Sequence, residues 1–416
     1  MFSERTAVAA RRMTAALAIL AAFASSPAQA QMTPGEAPAE PPALPVGRSD
    51  LVRVVNDPDA RRVDFLIGPL ALPSGMPHLR TPIQVAEMPV DGWIHGFTVA
   101  MEDSAGGAIP METLHHVNFI DPDDRDLFSP IARRVMAAGR ETSEHQLPSL
   151  IGYPVQPGDR MLISAMFANR TGTDFPEAWL RVRFHYSLEG DGVIEPRNVY
   201  PFYLDVMGPV GRKDFAVPPG RSTRAWQGSP AVQGRILGIG GHLHDFASVL
   251  RLVDVTTGTV LWEAAPIRTD DGRVRGVPSA EFLWQLGKEV RPDHVYRIEV
   301  VYDNPLEVPA PDGGMGEIGG VILVGKNVAW PEFDRTDPLY VADLSNTLAA
   351  PERTDHGHGA MEGMNRGYGG AEGADHVHGA IEVMDRGAVP AADAGSPVVA
   401  GHDAGEHHDH GSHGGE

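Results

Sequence analysis

The spacing of apolar residues is what most limits the folds open to this chain. From about residue 50 to about residue 330 they recur with a period of two, in short runs bounded by Gly, Pro and Asp. Trp93–Met101, Arg160–Ala168 and Trp179–Tyr186 are the clearest runs, and Leu51–Val55, Arg62–Ile67 and Leu114–Ile120 are shorter ones. In an extended chain, alternate side chains point to opposite faces, so each run presents one apolar face to a partner layer. Many short runs between turn residues argue for packed β-sheets rather than alternating strands and helices. A second series follows: Gly234–Ile239, Ser248–Asp254, Val260–Ala264, Val295–Tyr302 and Gly320–Gly325. Thr256–Thr259 reads as the hairpin turn before Val260. Asp121–Asp126 reads as a polar break, Phe128–Gly139 as a short helix and Leu286–Pro292 as a turn. With a boundary somewhere from Asn198 to Gly220, the expectation is an all-β chain of two β-sandwiches, 50–200 and 201–345.

The ends differ in character. Residues 1–30 read as a signal peptide, with Arg11-Arg12, an apolar run from Met13 to Phe23 and a cleavage signature at Ala28-Gln29-Ala30. That run is too short for a membrane anchor, and the paired arginines raise the twin-arginine route. The expected location is the periplasm or the medium, and no later stretch is apolar enough to span a bilayer. Residues 31–49 form a Pro/Ala-rich spacer. Residues 346–416 are expected to be a disordered tail rich in Ala, Gly, Asp, Glu and His. It holds nine of the eighteen histidines: His356, His358, His376, His378, His402, His407, His408, His410 and His413. Imidazoles on such a chain bind copper, nickel or zinc loosely. The plainer reading is an acidic solubilising tail.

Cysteine is absent, which excludes thiolate metal sites, thiol nucleophiles and haem attachment through Cys-x-x-Cys-His. Any metal site must use His, Asp, Glu or Met. The net charge of −21 argues against nucleic acid or anionic lipid as partner. Neither a Gly-rich phosphate loop nor a Gly-x-Ser-x-Gly elbow is present.

Histidines carry the candidate chemistry. His242 and His244, in Gly240-Gly241-His242-Leu243-His244-Asp245, fall on the same side of a strand and suit a metal. Asp245 points the other way and could anchor the loop. The adjacent His115 and His116 point to opposite faces of a regular strand and can share an ion only if a bulge turns one of them. His78, His95, His145 and His185 are further candidates. Met315, among glycines, offers a soft thioether that favours copper. The bland alternatives are core and surface histidines and an exposed loop methionine.

Trp93-Ile94-His95-Gly96-Phe97, Leu114-His115-His116-Val117-Asn118, Gly240–Asp245 and Met315 together resemble the copper type II, ascorbate-dependent monooxygenases. That group includes peptidylglycine α-hydroxylating monooxygenase, and the likeness extends to the stress-up-regulated nodulin 19-like proteins. It implies two jelly-roll-like sandwiches with one copper in each. His115, His116 and, from Val182-Arg183-Phe184-His185-Tyr186, His185 match the first site, with His145 as a fallback. His242, His244 and Met315 match the second. The disulfides usual in the animal enzymes are missing. The expected function is that of an exported copper-binding protein on a monooxygenase-like double-sandwich scaffold, with metal ions and an envelope protein as partners. The alternatives are a copper- and ascorbate-dependent monooxygenase and a non-catalytic structural or interaction subunit of an envelope complex.

Overall fold

The computed structural model describes residues 41–44 and 50–349, apart from 141, 143 and 271, with backbone alone at 311 and 312. The expected signal peptide, most of the spacer and the histidine-rich part of the tail lie outside the described residues.

The alternating runs form strands, most of them longer than the apolar pattern alone marks. One sheet runs through both sandwiches. Its order is Val52–Asp57, Arg62–Leu72, Phe175–Ser187, Gly92–Asp103, Ile151–Val155, Arg197–Asp205, Gly316–Val324, Gly234–Leu243 and Ala280–Glu281. The sandwiches meet where Ile151–Val155 and Arg197–Asp205 pair in parallel through Ile151↔Arg197 and Gly152↔Asn198. The other pairings along this path are antiparallel.

A five-stranded sheet closes the first sandwich: Met76–Arg80, Gln84–Glu87, Arg160–Asn169, Leu114–Arg125 and Ala132–Gly139. A four-stranded sheet, Gly220–Gly228, Tyr296–Asn304, Ala247–Asp254 and Thr259–Ala264, closes the second. The architecture is the all-β, jelly-roll-like β-sandwich that the sequence leads one to expect.

Each core lies between its facing sheets. Phe65 and Phe184 from the long sheet each meet Phe119 from the five-stranded sheet edge to face at 5.1 Å, and lie 5.5 Å from one another. In the second core Phe202, Ile236, Ile318 and Ile322 face Leu250, Leu252, Ile298 and Val300. Burying each such side chain stabilises the fold by ~1.5–3 kcal/mol.

Between the sandwiches Arg133, 2% exposed, pairs with Asp124. Its guanidinium lies 4.8–5.7 Å from the rings of Tyr153, Tyr200 and Trp330. Tyr153 and Tyr200 come from the two strands that meet in parallel, so one cation packs against both sides of the join.

Three local expectations are corrected. Phe128–Gly139 is not a helix: Ala132–Gly139 is a strand paired with Leu114–Arg125. Its alanines and methionine favour helix, but the open strand edge beside them wins. The polar stretch at Asp121 does not end its strand. Asp121 pairs with Arg133, and its carboxylate accepts the backbone N–H groups of Asp123 and Asp124. Lys288–Val290, within the expected turn, is a short strand against Gly234–Ile236.

The sequence reading also missed the helix Pro338–Leu348. Asp337 caps it by accepting the Leu339 N–H, and Pro338 opens the first turn. Its Tyr340 and Leu344 cover Val85, Ile120 and Leu162 on the outer face of the five-stranded sheet. No helix among the described residues is long and apolar enough to cross a membrane.

Candidate functional site

A bulge decides the geometry of the first histidine pair. Met166 pairs with His116 and Phe167 with Leu114, so His115 is an extra residue in its strand. The bulge defeats the strict alternation and leaves the two Nδ1 atoms 2.9 Å apart, within hydrogen-bonding reach. His78, on the neighbouring strand Met76–Arg80, lies edge to face with His115 at 5.2 Å. Val117 and Phe119 point into the core, so His116 faces outward from the five-stranded sheet.

His185 is elsewhere. Its neighbours Phe184 and Tyr186 are buried in the same core from the opposite side. His185 therefore faces outward from the long sheet, with both sheets of the sandwich between it and His115–His116. Partial burial, then the charge of Arg183, holds its imidazole below the ordinary value. The fallback His145 lies on Glu144–Gln146, which also pairs into the long sheet.

In the second sandwich the His242 and His244 rings stand 5.2 Å apart, edge to face. Gly241, just before them, lets its strand lie close to its neighbours, since a Cβ there would meet Leu250 at 2.4 Å and the Glu317 carbonyl at 2.7 Å. Across the strand pair, Glu317 sits opposite His242 on one side and Asp205 on the other. Met315 is clamped by its backbone: its N–H donates to the Tyr302 hydroxyl at 2.7 Å, and that hydroxyl donates to the Met315 carbonyl.

The same strands carry a buried acid network. The Tyr203 hydroxyl is 2.7 Å from both Asp205 and Glu317. It has one proton for two carboxylates, so the second contact is a hydrogen bond only when that carboxyl is itself protonated. Burial pushes Asp205 up to about 7, against the pull of Lys213 3.6 Å away.

His95 is a further bulged residue, since His185 pairs with Gly96 and Tyr186 with Ile94. The Gln146 amide reaches its Nδ1 at 2.6 Å, and burial lowers its pKa. It lines an open depression of about 460 Å³ with Asp59, Arg61, Ser149, Tyr186, Ser187 and Asp191. Arg61 is held there by a bidentate pair to Asp191 at 2.7–2.8 Å.

Sequence reasoning began the turn at Leu286 and passed over Phe282–Gln285, where it starts. Phe282 is buried in the second core, Leu283–Gln285 make one 3-10 turn, and Leu286 takes a left-handed φ of 59°. Gly287 follows at φ 78°, where a Cβ would meet the Ile236 carbonyl at 2.9 Å. The turn is fixed by Phe282 N–H to Leu237 O at 2.7 Å and Gly287 N–H to Phe282 O at 2.9 Å. The Arg235 guanidinium donates to the Leu286 and Gly287 carbonyls. On this rigid base Trp284 is 95% exposed and Leu286 77% exposed. Phe-Leu-Trp-Gln-Leu-Gly lacks period-two alternation, which was the available sign that these apolar residues do not all face a core.

No family model matches the chain, and no curated protein matches it. Among solved structures it is similar to the STIV MCP, with 10% identity over 64% of this chain and 95% of that one, at a TM-score of 0.33. It is also similar to the major capsid protein P2 from bacteriophage PM2, with 11% identity, 64% and 98% coverage and a TM-score of 0.32. PNGF-II aligns with 9% identity, 67% and 62% coverage and a TM-score of 0.34. At that level of likeness none of the three lends this chain a function.

The expected kinship with copper monooxygenases is corrected by the geometry. Among the described residues no group of three or more His, Cys, Asp or Glu side chains is placed to hold a metal ion. The first expected ligand set fails because His185 is on the far side of the sandwich from His115 and His116. At the second, His242 and His244 are joined by no further imidazole or carboxylate in such a group. Copper is therefore not assigned as a cofactor, metal ions are not assigned as partners, and the monooxygenase-like reading does not stand. Zinc or nickel on the tail histidines concerns residues outside those described.

Proposed function

We propose that this chain is a structural, interaction-bearing protein that docks through the Trp284 turn. The observation that carries this reading is the exposure of Trp284 and Leu286 on a turn tied at both its ends to the strand Gly234–Leu243. Indole is among the side chains most often found as an interface anchor. The backbone of the turn is already held in place, so that on binding the ordering cost falls mainly on the Trp284 and Leu286 side chains. A left-handed leucine costs roughly 1–2 kcal/mol, and its side chain contributes nothing to either core to offset that. Export, expected from residues 1–30, would set this contact in the cell envelope or outside the cell.

The test places a photo-crosslinking benzoylphenylalanine at position 285, an exposed residue of the same turn that leaves Trp284 in place, in cells that make the chain, with the exposed position 193 as control. A discrete adduct from 285 and none from 193 is expected. No adduct from 285 above the control contradicts the reading.

A further inference from the structure

Apart from docking, we infer that Tyr203, Asp205 and Glu317 form a proton-operated latch on the turn 206–214, in which one acid proton decides whether Lys213 closes the turn or pairs with Asp205. The geometry starts from the Tyr203 hydroxyl, 2.7 Å from Asp205 Oδ2 and 2.7 Å from Glu317 Oε1. Both contacts are hydrogen bonds only as a chain. A protonated Asp205 carboxyl donates to the Tyr203 oxygen, and the Tyr203 hydroxyl donates to Glu317. The proton belongs on Asp205, which is 1% exposed, whereas Glu317 is half-buried. Without it two carboxylates compete for one O–H, and a buried acceptor is left short of a donor.

Asp205 also founds the turn. Its Oδ1 accepts the Met207 N–H at 2.7 Å, and its carbonyl accepts the Gly208 N–H at 2.9 Å. Lys213 closes the turn from its far end by donating to the Gly208 carbonyl at 2.6 Å, and the same Nζ stands 3.6 Å from Asp205 Oδ2. That oxygen is the one facing Tyr203. A neutral Asp205 leaves Lys213 on the carbonyl, the arrangement seen here. A charged Asp205 draws the ammonium across, because a buried carboxylate is a stronger acceptor for it than a carbonyl. The Gly208 carbonyl is then released, and the turn can shift about Gly211, which has a φ of 92° and open space around it. The other charges facing the network have partners of their own or lie further off. Arg134, 6.0 Å over the Tyr203 ring, is bound to Asp343 of the helix at 2.8 Å. Asp126 is beside Arg134 and the Tyr203 backbone, and His242 lies opposite Glu317. Burial keeps the proton on Asp205 up to about 7, with Lys213 opposing and Glu317 assisting. The latch is therefore closed below that pH and opens as pH rises through it.

Hydrogen exchange of the full chain from about pH 5 to about pH 9, read by mass spectrometry and corrected for the intrinsic pH dependence of exchange, tests the latch. Amides 210–214 should exchange about tenfold faster above the transition than below it, as expected when a charged donor leaves its hydrogen bond. The strand Tyr296–Asn304 should show no such step. Asp205→Asn, whose amide donates to Tyr203 as the protonated acid does, should keep the slow rate at every pH. Lys213→Met, which cannot hold the Gly208 carbonyl, should show the fast rate at every pH while Tyr296–Asn304 stays protected. A wild-type turn without a step, or a step shared equally by Tyr296–Asn304, overturns the inference. So does a step that survives in Asp205→Asn, or a turn that stays slow in Lys213→Met.

Discussion

Two stretches of surface, the outward side of the long sheet in the first sandwich and the Trp284 turn in the second, are built in opposite ways. On the first, the outward side of the long sheet is covered by ion pairs: Arg181 bridges Asp64 and Glu102 at 2.6–2.7 Å, and Arg183 takes Asp64 again at 2.7 Å. On the second, two large apolar side chains stand in solvent on a braced turn. The carboxyls divide by depth rather than by sandwich. Burial pushes the Asp64 carboxyl up, but Arg183 and Arg181 outweigh it and hold it below the ordinary carboxylate range. Around the join with the second sandwich, burial wins: Asp121 and Asp126 rise to about 6 and Asp205 to about 7. Asp64 is governed by its two arginines, whereas Asp121 and Asp126 of the first sandwich and Asp205 of the second are governed by burial despite the partners they keep.

The largest effect should come from the core. Phe119→Ala removes a ring fully buried between Phe65 and Phe184 and should cost ~3–5 kcal/mol in chemical denaturation. A loss below 1 kcal/mol would mean that the two sheets do not meet there. Next is Asp343→Ala, which strips the helix Pro338–Leu348 of its ion pair with Arg134. Removing one partner of a buried pair costs roughly 3–5 kcal/mol, and proteolysis should then cut first in that helix.

The pH dependence sharpens the charge contrast. Asp121, Asp126 and Asp205 bind protons more tightly folded than unfolded, so their contribution is fully present at acid pH and lost as pH rises from ~4 through about 6 to 7. Each lowers unfolding stability by about 1.4 kcal/mol per pH unit within its window. Asp64 has the opposite sign, its contribution lost only as pH falls below ~4. Thermal melts of Asp126→Asn and Asp205→Asn should show a flatter profile between pH 4 and 7 than wild type; unchanged slopes would contradict the burial of these acids. The smallest effect on stability should come from Trp284→Ser, within ~0.5 kcal/mol of wild type, although the same change should abolish docking.

The fold class was legible because alternation is a local property of the chain and survives packing. Gly234–Ile239 and Trp179–Tyr186 both read as strands and are parts of longer ones. The histidine sites were legible only in part. The pairing of the His242 and His244 rings follows from a period of two, but the closeness of the His115 and His116 rings depends on a bulge set by the neighbouring Met166–Phe167 register. Placing His185 required knowing which sheet each strand joins, and this is tertiary information. The strand at Ala132–Gly139 is a similar case, because a waiting edge overrode its helix propensity. The exposure of Trp284 could not be read from residue type, since tryptophan usually signals burial.

Hydroxyl-radical footprinting with mass spectrometry is the most direct test of the central claim, that the Trp284 turn is an occupied docking element. Oxidation at Trp284, normalised to Val193, should be strongly suppressed in cells that make the chain and restored in the dilute purified protein. Equal oxidation in both settings would show an indole that meets only water and would contradict the account.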